Sequence, residues 1–196
     1  MEITFKLYPV CHMTHSFADC MFRARNEEHL TVEDISSVEC RIEDRCYHIV
    51  CEPDQAKKFP ATDYMMRFSL PYVAAVSFVK GKLGPREIDL RLVKDSRIRE
   101  MMDKIQCVSD DSKKNPGYFP GWIRITCRDG REIVLGQRYE KGTAQNPVDL
   151  DAVMMKFNSN MEIHYPEDRI GKIASTLQSL EKQENTADLL GLLECR

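Results

Sequence analysis

At 196 residues, with 42% hydrophobic residues, 30% charged residues and a formal net charge of −3, the chain has an ordinary soluble balance, enough for one core or a core plus a docking appendage. That charge gives no reason to expect nucleic acid or an anionic membrane as a partner. The longest apolar stretch, Leu70 to Val79, is far too short to span a bilayer, and the N-terminus lacks the basic region and apolar run of a signal peptide, so a cytoplasmic location is expected.

Cysteines stand at positions 11, 20, 40, 46, 51, 107, 127 and 195 with no C-x-x-C pair among them. A zinc site needs close pairs that converge on one ion, and disulfides need an oxidising compartment. The thiols therefore read as reduced and mostly buried.

The densest chemistry lies at the start. Lys6, Tyr8, Cys11, His12 and His15 surround Pro9, which fixes φ and bars a local helix. Thr14 is placed to cap a helix over about His15–Glu28, with Phe17, Ala18, Met21, Phe22 and Ala24 on its apolar face and Arg23, Arg25 and Asn26 outward. Taken by itself the segment has two readings. It is either a loop of nucleophilic and proton-transferring side chains running into a helix start, or a Pro-bent stretch whose Tyr8 and Cys11 are core.

Leu30 to Ile35 suggests a cap and a single helical turn. Ser37 to Glu52 reads as extended, because Val38, Cys40 and Ile42 alternate with Glu39, Arg41 and Glu43. A turn near Glu43–Arg45 would return Tyr47 to Cys51 to the same sheet, and Pro53 to Pro60 is a polar connection. Pro71 suits the first turn of a helix running to about Lys80. Tyr72 then falls at a helix N-terminus, where open N–H groups favour an anion; the alternative is that Tyr72 packs beside Phe68.

Farther on, Asp95 caps a predicted helix over Ser96–Lys104 with Ile98, Met101 and Met102 inward, and Ile105–Val108 follows as a strand. Asp110 to Gly117 is a surface loop. Trp122–Cys127 and Arg131–Leu135 flank Asp129-Gly130, the clearest hairpin signal in the chain. Helices are expected from Pro147 through Phe157, from Pro166 to about Lys182, and over Ala187–Leu193. Strand signals interleaved with short helices, without a strict βαβ alternation, predict an α+β fold. Its antiparallel sheet would come from the 37–51, 105–108, 122–127 and 131–136 regions, with helices on one face.

Three stretches carry a resemblance. K-x-Y-P-x-C-x-x-T-H (Lys6–His15), A-T-D-Y-M-M-R-F-S-L-P-Y-V-A-A-V (Ala61–Val76) and G-x-x-x-N-P-V-D-L-D-x-V-x-x-K-F (Gly142–Phe157) resemble, in that order, segments of the MmgE/PrpD family. That family includes 2-methylcitrate dehydratase, cis-aconitate decarboxylase and an iminodisuccinate epimerase. The resemblance implies a lid-like α+β domain over 1–145 and a C-terminal helical segment over 146–196. The latter would dock on a helical domain supplied in cis or in trans. With Met1 only five residues before Lys6, the chain reads as a fragment or a free-standing relative of the lid, weak or inactive by itself. Its apolar Ile170–Leu193 surface would favour self-association, a homodimer included.

The implied function is the C-terminal part of a cofactor-independent lyase, a dehydratase or decarboxylase. Its substrate would be a small di- or tricarboxylic acid such as 2-methylcitrate or cis-aconitate. An epimerase of the same family and a non-catalytic lid-derived interaction module are the alternatives. By family position Lys6 would bind a substrate carboxylate, with Tyr8 and Cys11 beside it. His15 or His12 would move a proton, and Tyr72 would donate a hydrogen bond to substrate oxygen. Cys11 stands where a cis-aconitate decarboxylase places a histidine. Neither a metal nor a nucleotide cofactor is expected, since G-x-G-x-x-G, P-loop and H-E-x-x-H motifs are absent from the sequence.

Overall fold

The computed structural model describes residues 3–194; of the cysteines expected to be reduced, Cys195 lies outside them, and the other seven are free thiols. The fold is α+β. The alternation at Val38, Cys40 and Ile42 produces β1 (Ile35–Ile42), with those three side chains buried and Glu39 and Arg41 on the opposite face. β2 (Ile105–Ser109), β3 (Gly121–Cys127) and β4 (Glu132–Gln137) complete one sheet in the order β2-β1-β3-β4. The β3–β4 hairpin pairs Thr126 with Glu132 and Trp122 with Gly136. Its turn holds Gly130 at φ +88°, a left-handed conformation that suits glycine.

The β1–β3 and β3–β4 pairs are antiparallel, but β1 and β2 run parallel, Cys40 opposite Cys107. A parallel neighbour requires a long crossover, and here the helices between Ile42 and Ile105 provide it. The buried face of the sheet is covered by α1 (His15–Asn26), α5 (Leu70–Lys80) and α7 (Ser96–Lys104). α5 packs against both of the others. Every residue of α5 from Leu70 to Phe78 is buried, so it is a core helix with no solvent face. Full burial of each Val, Leu or Phe side chain contributes about 1.5–3 kcal/mol.

Between β1 and α5 the expected extended segment is helical. α2 (Asp44–Val50) buries Cys46 and Val50, one turn apart, while His48 lies 3.5 Å from Asp44 and 2.7 Å from Glu52 on the outer face. These i,i+4 pairs support a helix over a run whose composition suits a strand equally well. α3 (Asp54–Lys58) occupies much of the predicted polar connection from Pro53 to Pro60, and α4 (Asp63–Arg67) follows it. α6 (Leu90–Val93) precedes α7, and Asp95 caps α7 by accepting from the N–H groups of Arg97 and Ile98. Residues 32–34 form a turn rather than a helical turn, because the Asp34 carboxylate accepts from both the N–H and the hydroxyl of Thr31.

The described residues divide into two compact units, with the boundary between Asp149 and Leu150. In the second, α8 (Leu150–Met161) starts three residues later than Pro147 suggested, and α9 (Glu167–Gln178) and α10 (Ala187–Leu193) follow. Ile170 and Ile173 are buried, whereas Leu150, Met155 and Leu190 are exposed. Arg169 binds the last carbonyls of α10, with Leu192 O at 2.7 Å, where a cation also complements the helix dipole. Among the described residues no helix is long and apolar enough to cross a membrane.

Candidate functional site

The N-terminal segment is pinned at two points. Phe5 N–H donates to the Gly142 carbonyl at 3.0 Å. Gly142 sits at φ +93°, and a Cβ there would stand 2.3 Å from the Phe5 oxygen, so the approach depends on glycine. Arg67, at the end of α4, grips the other side: its carbonyl accepts from Cys11 N–H at 2.8 Å and its guanidinium donates to the Pro9 carbonyl. Thr14 does not cap α1 with its side chain. Its hydroxyl donates to the Cys11 carbonyl at 2.8 Å and closes the 3-10 turn His12–Thr14 that delivers the chain into α1.

This anchoring stacks two imidazoles. The His15 ring lies 4.9 Å from the Tyr8 ring and 4.7 Å from the His12 ring, and His12 lies 5.5 Å from Phe119. His15 is almost wholly buried and His12 partly so; in both, Nε2 is buried and has no hydrogen-bond partner among the described residues. Burial, helped by His12 and the Lys6 ammonium, lowers the His15 pKa to about 3 against the pull of the Val10 and Tyr8 carbonyls. Burial also lowers that of His12, with Glu140 pulling the other way and Lys6 adding to the drop. Near neutral pH both rings are therefore neutral in the unliganded site. Each presents a buried nitrogen with nothing to bond to.

Beneath them lies a group the sequence reading passed over. Asp19, one turn after His15 on α1, has a side chain with no solvent exposure. It accepts from the Tyr8 hydroxyl at 2.6 Å and from Gln137 Nε2 at 2.7 Å, and it pairs with Lys141 Nζ at 3.3 Å. The Tyr8 phenol is thus committed to Asp19, and burial together with that carboxylate pushes its pKa up. Glu140, also buried, accepts from Phe119 N–H at 2.9 Å. The loop carrying Glu140 and Lys141 is held in turn by Thr143 Oγ1, which donates to Glu140 O, and by Asn146 Nδ2, which donates to Tyr139 O. The only cue to Asp19 in the sequence was its position four residues from His15, on the same side of the helix.

Of the six residues singled out from the sequence, Lys6, Tyr8, His12 and His15 gather here. Cys11 and Tyr72 point elsewhere. The Cys11 thiol lies beside Cys46 and Lys57. Tyr72 is buried, its amide capped by Ser69 Oγ and its hydroxyl donated to the Glu87 carbonyl at 2.5 Å. No group of three or more His, Cys, Asp or Glu side chains among the described residues is placed to hold a metal ion.

Residues 8–182 match the family model described as the MmgE/PrpD C-terminal domain. The chain is 24% identical over 204 aligned residues to cis-aconitate decarboxylase of Mus musculus, an alignment covering 98% of this chain and 40% of the relative. It is 28% identical over 159 residues to mitochondrial 2-methylcitrate dehydratase of Yarrowia lipolytica strain CLIB 122 / E 150, covering 73% of this chain and 28% of the relative. The chain thus spans well under half the length of either relative.

Proposed function

The chain belongs to the MmgE/PrpD family, whose C-terminal domain it carries, and from this we propose that it forms the lid half of a cofactor-independent lyase. It works with a helical domain, in cis or in trans, on a small di- or tricarboxylic acid of the 2-methylcitrate or cis-aconitate kind. The observation that supports this best is the pair of buried, unpartnered imidazole nitrogens next to the Lys6 cation. An ammonium is a compact carboxylate site, and a neutral buried imidazole is a base waiting for a proton.

Between the two lyase reactions we favour dehydration. Removing water from a 2-hydroxy acid begins with taking a proton from carbon next to a carboxylate, which requires an unprotonated base. His15 is unprotonated near neutral pH, but with burial holding its pKa to about 3 it is a weak base until a bound substrate raises that value. Lys6 stabilises the charge that builds on the neighbouring carboxylate. Decarboxylation instead asks first for an acid to protonate carbon, and it is the second reading, favoured by the match to the mouse decarboxylase.

The test is steady-state kinetics of the chain combined with a family helical domain, with 2-methylcitrate and cis-aconitate as substrates. Lys6→Ala should chiefly raise KM, and His15→Gln should lower kcat by about 100-fold or more. Wild-type constants in both variants, on a substrate the parent turns over, would overturn this reading.

A further inference from the structure

A second concave feature lies in the first unit, at the far end of α1 from the stacked imidazoles. His15 and Asn26 open and close that helix, roughly 16 Å apart along its axis. Beyond Asn26, the loop that follows α1, the end of α5 and the start of α7 enclose a cleft of about 650 Å3, a size within the range of small-molecule sites. Its apolar wall is Leu30, Val32 and Phe78, all buried. Around them stand three cations, Arg25, Lys80 and Arg97, and one carboxylate, Asp95.

Each cation is held by bonds that use only part of its donor set. Arg25 Nη1 donates to the Phe78 and Val79 carbonyls at 3.0 and 3.2 Å, which fixes the guanidinium against the end of α5. Gly81 follows at φ +68°, and a Cβ there would lie 3.1 Å from Arg25 Nε. Lys80 Nζ lies 3.3 Å from one Asp95 oxygen, while the other oxygen caps α7. Arg97 Nη2 bonds both oxygens of Glu33 at 3.0 Å, an exposed pair that a more highly charged anion can replace. His29, just past α1, sits at φ +53° in the left-handed region, and the next N–H, of Leu30, bonds back to the Ala24 carbonyl at 3.3 Å. Glycine adopts that conformation without strain and is usual after a helix. Here a histidine occupies it, and its side chain lines the cleft.

We propose that this cleft binds a small phosphate monoester, with its phosphoryl group among Arg25, Lys80 and Arg97 and its apolar body on Leu30, Val32 and Phe78. His29 supplies a further ring N–H donor. Guanidinium forks match phosphate oxygens in pairs. The surplus of cations over carboxylates in the lining suits a group that carries nearly two negative charges near neutral pH. The site shares no residue with the stacked imidazoles or Lys6 and does not depend on the carboxylate-site reading.

The experiment is an amide NMR titration of the 196-residue chain with phenyl phosphate, with inorganic phosphate, benzoate and benzyl alcohol as separate arms at equal ionic strength. Phenyl phosphate should saturably shift the amides of residues 29–32 and 78–81, benzyl alcohol should not, and the other two anions should bind more weakly. Lys80→Met and Arg97→Gln should each weaken phenyl phosphate by about three- to tenfold. His29→Gly should weaken it while leaving Tm equal or higher, a combination that a purely structural His29 would not give. No saturable shift at the cleft, or wild-type affinity in both Lys80→Met and Arg97→Gln, would overturn the proposal. Benzoate binding as tightly as phenyl phosphate would refute the phosphate assignment, and inorganic phosphate binding as tightly would refute the apolar subsite.

Discussion

Replacing Asp19 with alanine removes the common acceptor of three donors and should be among the most damaging single changes in the chain. The Tyr8 hydroxyl and Gln137 Nε2, at 2.6 and 2.7 Å from the carboxylate, would each be left partly buried without a partner, at about 1–3 kcal/mol apiece. Lys141, nearly half exposed, can return to water, so its lost ion pair adds only about 0–1 kcal/mol. The sum is about 2–7 kcal/mol, a range that brackets the roughly 3–5 kcal/mol typical of breaking a buried charged network by removing one partner. Tyr8→Phe removes one of the three donors and leaves the other two in place, so about 1–2 kcal/mol is expected. Urea unfolding followed by circular dichroism measures both, provided the m-value is unchanged. A loss below about 1 kcal/mol for Asp19→Ala would mean that the carboxylate does not hold Tyr8 against His15, and the anchoring argument for the site would fall with it.

Two further outcomes are expected. Because folding lowers the His15 pKa from its ordinary value near 6.5 to about 3, the unfolded chain binds the proton more readily. His15's contribution is therefore intact above about pH 6.5 and is lost at up to about 1.4 kcal/mol per pH unit as the pH falls toward 3, a component that His15→Gln should abolish in pH-dependent unfolding. Gly142→Ala places a Cβ 2.3 Å from the Phe5 oxygen at a φ that suits glycine, so it should cost about 1–3 kcal/mol locally and accelerate hydrogen exchange at the Phe5 amide that bonds to the Gly142 carbonyl.

What was legible in the sequence was whatever local chemistry decides. The Asp129-Gly130 hairpin, the helix between Pro71 and Gly81, and the Asp95 cap all fall where turn and cap residues place them. The α2 helix was not legible. Cys46, Tyr47, Ile49, Val50 and Cys51 suit a strand as well as a helix, and the choice is made by the Asp44–His48–Glu52 pairs and the burial of Cys46 and Val50. The parallel β1–β2 pair was hidden because it joins segments more than sixty residues apart. At the site, proximity in sequence revealed Lys6, Tyr8, His12 and His15. Asp19 and Glu140 matter through tertiary partners, Gln137 and Lys141 for the first and Phe119 for the second, and no local pattern announces those.

The contrast between the first two family-like stretches separates residues that build the domain from residues with chemistry still available. In the second stretch every polar group of interest is already committed. Ser69 Oγ accepts from Tyr72 N–H and caps α5, and the Tyr72 hydroxyl donates to the Glu87 carbonyl. The Glu87 carboxylate in turn accepts from Gly84 N–H at 2.8 Å and lies 3.6 Å from Lys82 Nζ. These bonds clamp the start of the central helix onto the turn at Pro85–Glu87. In the first stretch Tyr8 is spent in the same way on Asp19, but His12 and His15 each keep a buried nitrogen with no partner. Burying an unbonded polar atom costs free energy of order 1–3 kcal/mol, and a fold tolerates that cost where something else supplies the bond.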